Sequence, residues 1–333
     1  MPSNPWFHAA AVTVFALAAC RPMAPAEIPS PIPTAGPAAT PTTTPAPIPT
    51  ATPQPTATPI PLVPAFEHVV TIVFENKEFG TVIGNSRMPY FNQLADSYTL
   101  LTQHFAVTHP SLPNYLALIS GDTFGLDFSC TKCLYDAVTL PDLIEASGRT
   151  WKTYQEDMPS ACFEGSDYGL YAMKHNPFIY FEPIRLNGER CARSVVPFTQ
   201  LYADLAANDL PAYVFITPNL CNDAHDCGLP VADQWLQSLM LVLQPALEAD
   251  GEPYLIIITW DEGQGDHSCC GLPEKAGGRI ATILVSPQVK AGFEDDLPYT
   301  HYSVLKTIAE SWQLPYIGHA ADEENVLIIA PWK

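Results

Sequence analysis

The chain has 333 residues, 47% of them hydrophobic and 11% aromatic, which supports a substantial buried core and excludes a wholly disordered protein. Its 15 Lys and Arg stand against 35 Asp and Glu, a formal net charge of -20. Such a surface repels nucleic acid and anionic membranes rather than binding them.

In chain order, the first signal is the apolar run Val12 to Ala19, which ends in Leu17-Ala18-Ala19-Cys20. The run is shorter than the roughly 20 apolar residues a bilayer span needs. It reads as a signal peptide, residues 1-20, whose Cys20 becomes the lipidated first residue of a bacterial lipoprotein. Met1 to His8 lack the Lys or Arg of an ordinary leader, and a cleaved signal with an incidental Cys20 is the alternative. Residues 21-65 follow as a Pro/Thr-rich stalk: Arg21 to Pro64 holds 15 prolines and only two charges, Arg21 and Glu27. Chain of this composition builds no core and favours extended polyproline II, reaching on the order of 130 Å. The expected localisation is extracytoplasmic, lipid-anchored to the bacterial cell envelope or secreted, with membrane contact through the N-terminal lipid only.

Residues 66-333 read as one domain. The predicted elements run strand Val69 to Phe74, helix Tyr90 to Ala95, an apolar helical stretch Leu116 to Ile119, helix Leu140 to Ala146 and helix Phe198 to Ala207. Strand Tyr213 to Thr217, helix Gln234 to Leu247, strands Tyr254 to Trp260 and Ile280 to Val285, and helix Val304 to Trp312 complete the order. Short Val- and Ile-rich strands alternating with helices predict an α/β fold, a three-layer α/β/α sandwich with a mostly parallel central sheet. In such sheets ligands collect beyond the carboxyl ends of the strands.

Two acidic groups occupy those places, Glu75-Asn76 after the first strand and Asp261-Glu262 after the Tyr254 to Trp260 strand. Oxygen ligands of this kind suit a hard divalent cation, Ca, Mg, Mn or Zn; the alternative is that each pair caps the next turn. His109-Pro110-Ser111-Leu112-Pro113-Asn114-Tyr115 places Ser111 at a helix amino terminus, where backbone N–H groups favour an alkoxide or a bound anion. An ordinary N-cap serine fits the same spacing. His175, His225, His267 and His301 lie in polar, loop-like contexts that suit ligands or acids. His68 and His319 carry no such signal. Eight cysteines besides Cys20 suggest disulfides in an exported protein, nearest neighbours pairing as Cys130 with Cys133, Cys162 with Cys191, Cys221 with Cys227 and Cys269 with Cys270. A zinc cluster on Cys130, Cys133, Cys269 and Cys270 is the rival, and sequence alone leaves the connectivity open.

From about His68 to His319 the chain resembles the phosphoesterase family of bacterial and fungal acid phosphatases and phosphatidylcholine-type phospholipases C, a branch of the alkaline-phosphatase superfamily. The ordered motifs are Phe74-Glu75-Asn76-Lys77, His109 to Tyr115, Lys174-His175-Asn176-Pro177-Phe178, Pro218-Asn219 with Asn222-Asp223-Ala224-His225-Asp226, Thr259-Trp260-Asp261-Glu262-Gly263 and His301-Tyr302-Ser303. The resemblance implies a divalent cation held by Glu75, Asn76, Asp261, Glu262 and the nucleophile Ser111, with His175, His225 and His301 facing the phosphate or its leaving group. Asn114 and His109 are further substrate-binding candidates, and His225 or His301 the acid. The implied reaction is phosphoric ester hydrolysis through a phosphoserine, on a small phosphate ester or a phospholipid head group. A phosphodiesterase or phospholipase C is the alternative, and an inactive surface-binding module on the same fold is the alternative from another class. The chain lacks the extra carboxy-terminal region of the phospholipase branch, and its spacing from Asp261-Glu262 to Asp266-His267 is about two residues shorter, which loosens any role for His267.

Overall fold

The computed structural model describes Gly36 and residues 61–333. Cys20, the expected leader and most of the expected stalk lie outside the described residues. Among the described residues ten strands form: β1 (His68–Phe74), β2 (Thr99–Phe105), β3 (Trp151–Gln155), β4 (Asp167–Tyr168), β5 (Tyr171–Ala172), β6 (Val195–Pro197), β7 (Tyr213–Thr217), β8 (Tyr254–Trp260), β9 (Arg279–Val285) and β10 (Phe293–Thr300). Eight of them make one sheet in the order β10-β2-β9-β8-β1-β7-β3-β6, and β4 with β5 makes a small hairpin. Every pairing in the large sheet is parallel except those of β9, which runs antiparallel to both β2 and β8.

Alternate residues of β1 serve two cores. Val69 and Val73 pack with helices Ser111–Ser120, Leu140–Ala146 and His301–Ser311 on one face, while Val70, Ile72 and Phe74 meet helices Pro89–Ser97, Thr199–Ala207 and Leu229–Asp250 on the other. Both faces are apolar because both are covered, which is why the buried strands read as continuous Val/Ile runs. Each such side chain taken from water contributes roughly 1.5–3 kcal/mol before chain entropy is subtracted. The result is the three-layer sandwich expected from the element order.

Local chemistry sets the helix starts. Thr139 and Asp142 form a capping box for Leu140–Ala146, and Thr300 and Ser303 form one for His301–Ser311. Helix Pro89–Ser97 has no local cap. Instead the carboxylate of Asp233, from helix Leu229–Asp250, accepts from Tyr90 N (3.1 Å) and Phe91 N (2.8 Å).

Packing reaches back before residue 66, the expected start of the domain. Val63 is buried in the first core, and the carbonyl of Pro64 accepts from Ser311 Oγ at 2.9 Å. All four nearest-neighbour disulfides are formed: Cys130–Cys133, Cys162–Cys191, Cys221–Cys227 and the vicinal Cys269–Cys270. Sulfurs bonded to each other offer no thiolate, so the zinc-cluster alternative does not hold. Among the described residues no helix is long and apolar enough to cross a membrane.

Candidate active site

Because β1 and β8 are parallel neighbours with Phe74 beside Trp260, the residues that follow them emerge together at one pole of the sheet. Asp261 N donates to the Phe74 carbonyl (2.8 Å), and Asn76 N donates to Asp261 Oδ1 (2.8 Å). Asn76 takes a left-handed backbone, φ 56°, which asparagine tolerates and which aims its N–H at that carboxylate. Its side-chain Nδ2 donates to Glu75 Oε2 at 2.8 Å.

Ser111 reaches the same place from helix Ser111–Ser120. Pro110 holds the N-cap position, so the hydroxyl caps nothing; it donates to Glu75 Oε2 (3.1 Å) and Glu262 Oε1 (3.3 Å). Glu75, Asp261, Glu262 and Ser111 are all buried. The five residues expected to surround a cation therefore converge.

Behind Glu75 lies His175, with Nε2 at 3.2 Å from Glu75 Oε2 and Nδ1 at 3.4 Å from Asp223 Oδ2. Burial works against its charge, but Glu75 and Asp223 hold it up at about 9. Burial likewise works against the Glu75 carboxylate, and His175 with the Tyr115 hydroxyl brings it down to about 2. Tyr115 donates to Glu75 Oε1 and stacks on the imidazole with centroids 5.4 Å apart. Asp223 and Tyr115 were not singled out from the sequence. Asp223 had a signal, its place beside His225 in a polar loop motif; Tyr115 looked like an ordinary core residue of an apolar helix.

The donor set fits a hard divalent cation. Asp261 Oδ2 is buried without a hydrogen-bond partner, and burial followed by the charges of Glu75 and Glu262 pushes the Asp261 carboxyl well above its usual range. A buried, unpartnered carboxylate held beside two others is what a cation relieves. Glu75, His175 and Asp223 also offer ligand atoms within 4.8 Å of one another.

The remaining predicted residues divide. His109 Nδ1 lies 2.6 Å from Glu262 Oε2 and Nε2 lies 3.1 Å from the Gly265 carbonyl. Both ring nitrogens face acceptors, and the hydrogen bond to Glu262 shifts the imidazole upward from its ordinary value. His225 sits at the rim, Nδ1 2.7 Å from Asp226 Oδ1, Nε2 3.2 Å from Lys174 Nζ, its ring 5.8 Å from that of His175. Two expectations are corrected. Asn114 is not free for substrate: Oδ1 accepts from Val107 N and Thr108 N, and Nδ2 donates to the carbonyls of Thr108 and Pro110. Those bonds shape the turn before Ser111. His301 does not face a leaving group either; it is buried, its Nε2 donates to the Asp261 carbonyl (2.6 Å), and burial lowers it to about 4, so it is neutral and supports the acidic pair from within. His267, 72% exposed at its side chain, pairs with Glu78 outside the acidic cluster.

Known proteins match this chain in sequence and in fold. A phosphate-repressible acid phosphatase of Penicillium chrysogenum is 35% identical over 274 residues, 79% of this chain, and the chain spans 63% of that relative's length. A phosphatidylinositol-3-phosphatase of Mycobacterium tuberculosis is 32% identical over 78% of this chain and 81% of its own length. A solved structure from Vibrio parahaemolyticus, described as a protein in the alkaline phosphatase superfamily, superposes with a TM-score of 0.54 at 10% identity over 79% of this chain and 71% of its own. That likeness is one of fold. The model of the Phosphoesterase family matches residues 85–315, a span that holds Ser111, His175, Asp223, Asp261 and Glu262, and the chain belongs to that family.

Proposed function

We propose that this chain is a metal-dependent phosphoric ester hydrolase of acid-phosphatase type, with Ser111 as nucleophile and a phosphate monoester as substrate. The observation that carries the reading is the buried Ser111 hydroxyl at a helix amino terminus, donating to two of three clustered carboxylates. The names of the relatives, acid phosphatases among them, support it.

Glu75, Asn76, Asp261, Glu262 and Ser111 would hold a divalent cation, which lowers the pKa of a hydroxyl and offsets charge on phosphoryl oxygens. Ser111 Oγ gives up its proton toward Glu262 and forms the bond to phosphorus in line as the ester P–O bond breaks. The departing alcohol takes a proton from His225, which lies at the rim of the site paired with Asp226. Water then attacks the phosphoserine with His225 accepting its proton, and as the bond from phosphorus to Ser111 Oγ breaks the serine oxygen takes back the proton held by the carboxylate. The N–H groups of helix Ser111–Ser120 point their positive end at the transferring group. His175, fixed between Glu75 and Asp223, adds a buried positive charge next to the carboxylates.

The substrate class is tested by assaying the full chain on p-nitrophenyl phosphate, bis(p-nitrophenyl) phosphate and phosphatidylcholine vesicles, with and without EDTA. The highest kcat/KM is expected on the monoester, lost on chelation. Higher turnover of the diester or the phospholipid would favour the phospholipase C reading; no hydrolysis of any would favour a binding module.

The same reading includes the layout of a leader (1-20), a stalk (21-65) and a phosphoesterase domain (66-333), placed outside the cytoplasm. Four disulfides suit an oxidising compartment. Cys20→Ser is expected to move the protein from the membrane to the soluble fraction, and unchanged fractionation would remove the lipid anchor from the scheme.

A further inference from the structure

The acidic pair after β8 is braced by a carboxylate that takes no part in the proposed chemistry. Glu78 lies three residues beyond Glu75. Its Oε2 accepts from Gln264 N (2.9 Å) and Gly265 N (3.0 Å), and its Oε1 accepts from Arg279 N (3.1 Å) with His267 Nδ1 at 3.3 Å. Three backbone N–H groups converging on one carboxylate make an anion nest, with bonds stronger than neutral ones.

The nest closes the base of the 261–278 loop. Gly263 N donates to the Gly277 carbonyl, Gly278 N to the His267 carbonyl, and Gly277 N to the Ala106 carbonyl, joining both arms to the segment before His109. Glycine is required for the fit: a Cβ at Gly263 would collide with Glu78 Oε2, one at Gly278 would lie 2.8 Å from it, and Gly278 has φ +83°. The peptides so held are the ones next to the site. Gly263 directly follows Glu262, and the Gly265 carbonyl takes the bond from His109 Nε2 while His109 Nδ1 holds Glu262 Oε2 at 2.6 Å. Glu78, Gly265, His109 and Glu262 form one chain of contacts ending at Ser111.

We infer that Glu78 is a positioning residue that sets the carboxylate of Glu262 for cation binding by fixing the 263–265 backbone and, through Gly265, the imidazole of His109. The inference rests on the reading of Glu262 as a ligand. Loss of a group that orients a ligand costs about 10–100-fold in metal affinity or activity.

The test measures the Mn2+ dissociation constant by calorimetry on the full chain, together with kcat and KM on p-nitrophenyl phosphate and the melting temperature. Glu78→Gln, which replaces one acceptor oxygen by a donor facing N–H groups, is expected to weaken Mn2+ binding about tenfold or more and to lower kcat more than it raises KM. Gly263→Ala, which pushes the carboxylate out of the nest from the opposite side, is expected to do the same and stands in should Glu78→Gln not fold. The double variant is expected to be no worse than either single one, because both break one contact. Wild-type Mn2+ affinity and kcat in Glu78→Gln, with only the melting temperature lowered, would overturn the inference alone, as would additive losses in the double variant. A wild-type chain that binds no Mn2+ would overturn the metal reading beneath it as well.

Discussion

Ser111→Ala is expected to lower kcat on phosphate monoesters by at least about three orders of magnitude, the scale seen when a covalent nucleophile is removed. Thermal stability is the control. The hydroxyl occupies the first helical position behind Pro110 and satisfies no backbone group, so its loss leaves the helix intact. A true N-cap would cost about 0.5–2 kcal/mol and leave turnover unchanged. The four other proposed ligands stay in place, so the cation remains bound with Kd changed far less than kcat. Rapid-quench detection of a phosphoserine in wild type and its absence in Ser111→Ala would place the covalent step on this residue; an alanine variant with most of its turnover would remove it.

Asp261→Asn is expected to act on metal rather than on the nucleophile, and its effect on stability should change sign with occupancy. The amide oxygen can still accept from Asn76 N, and His301 bonds the Asp261 main chain, so the local shape is preserved while one charge is lost. With cation present, the variant binds it more weakly and forfeits part of the linkage stabilisation, which amounts to about 2.7 kcal/mol at a hundred times Kd. Activity returns in part at high metal concentration. In EDTA the order inverts: burial and the charges of Glu75 and Glu262 penalise an ionised Asp261, and the amide removes that penalty, so Asp261→Asn should melt at the higher temperature. A variant that is less stable in both conditions, with unchanged metal affinity, would mean that Asp261 is structural.

The parts legible in the sequence are those whose environment is uniform along the element. Strands β1, β7, β8 and β9 are buried on both faces and read as Val/Ile runs; β2, β3 and β10 carry Gln103, Lys152 and the acidic stretch Glu294-Asp295-Asp296, and no such run marks them. Edge position accounts for β10, whose outer residues face water. The antiparallel direction of β9 left no local trace, since an apolar strand reads the same both ways. Helix Leu229–Asp250 extends well beyond the Gln234 to Leu247 pattern because Gly228, Pro230 and Gly251 mark its ends less visibly than its apolar stripe marks its middle.

Within the site, Glu75 and Asp261 could be found because strand ends are where such sheets collect ligands. Side-chain direction could not be read from spacing. Asn114, a polar residue one turn from Ser111, turns back to the preceding loop; His301 turns inward; Tyr115 and Asp223 turn toward Glu75 and His175. Glu78 was invisible for a related reason, since its partners are backbone N–H groups nearly two hundred residues away.

The reversed direction of β9 has an evolutionary consequence. Because β8 and β9 are antiparallel neighbours, the connection from Asp261 to Gly278 leaves and returns at the pole where the acidic cluster lies, and its base is tied by Gly263 to Gly277 and by Asp266 to Ala276. Residues between those ties, the vicinal Cys269–Cys270 bridge among them, can lengthen or shorten without shifting the register of any strand. The loop tip is therefore a graft point: insertions there would reshape the rim of the candidate site while the sheet, the nest around Glu78 and the proposed ligands stay unchanged, so that, under the proposed function, selection could alter which ester is admitted without touching the proposed chemistry.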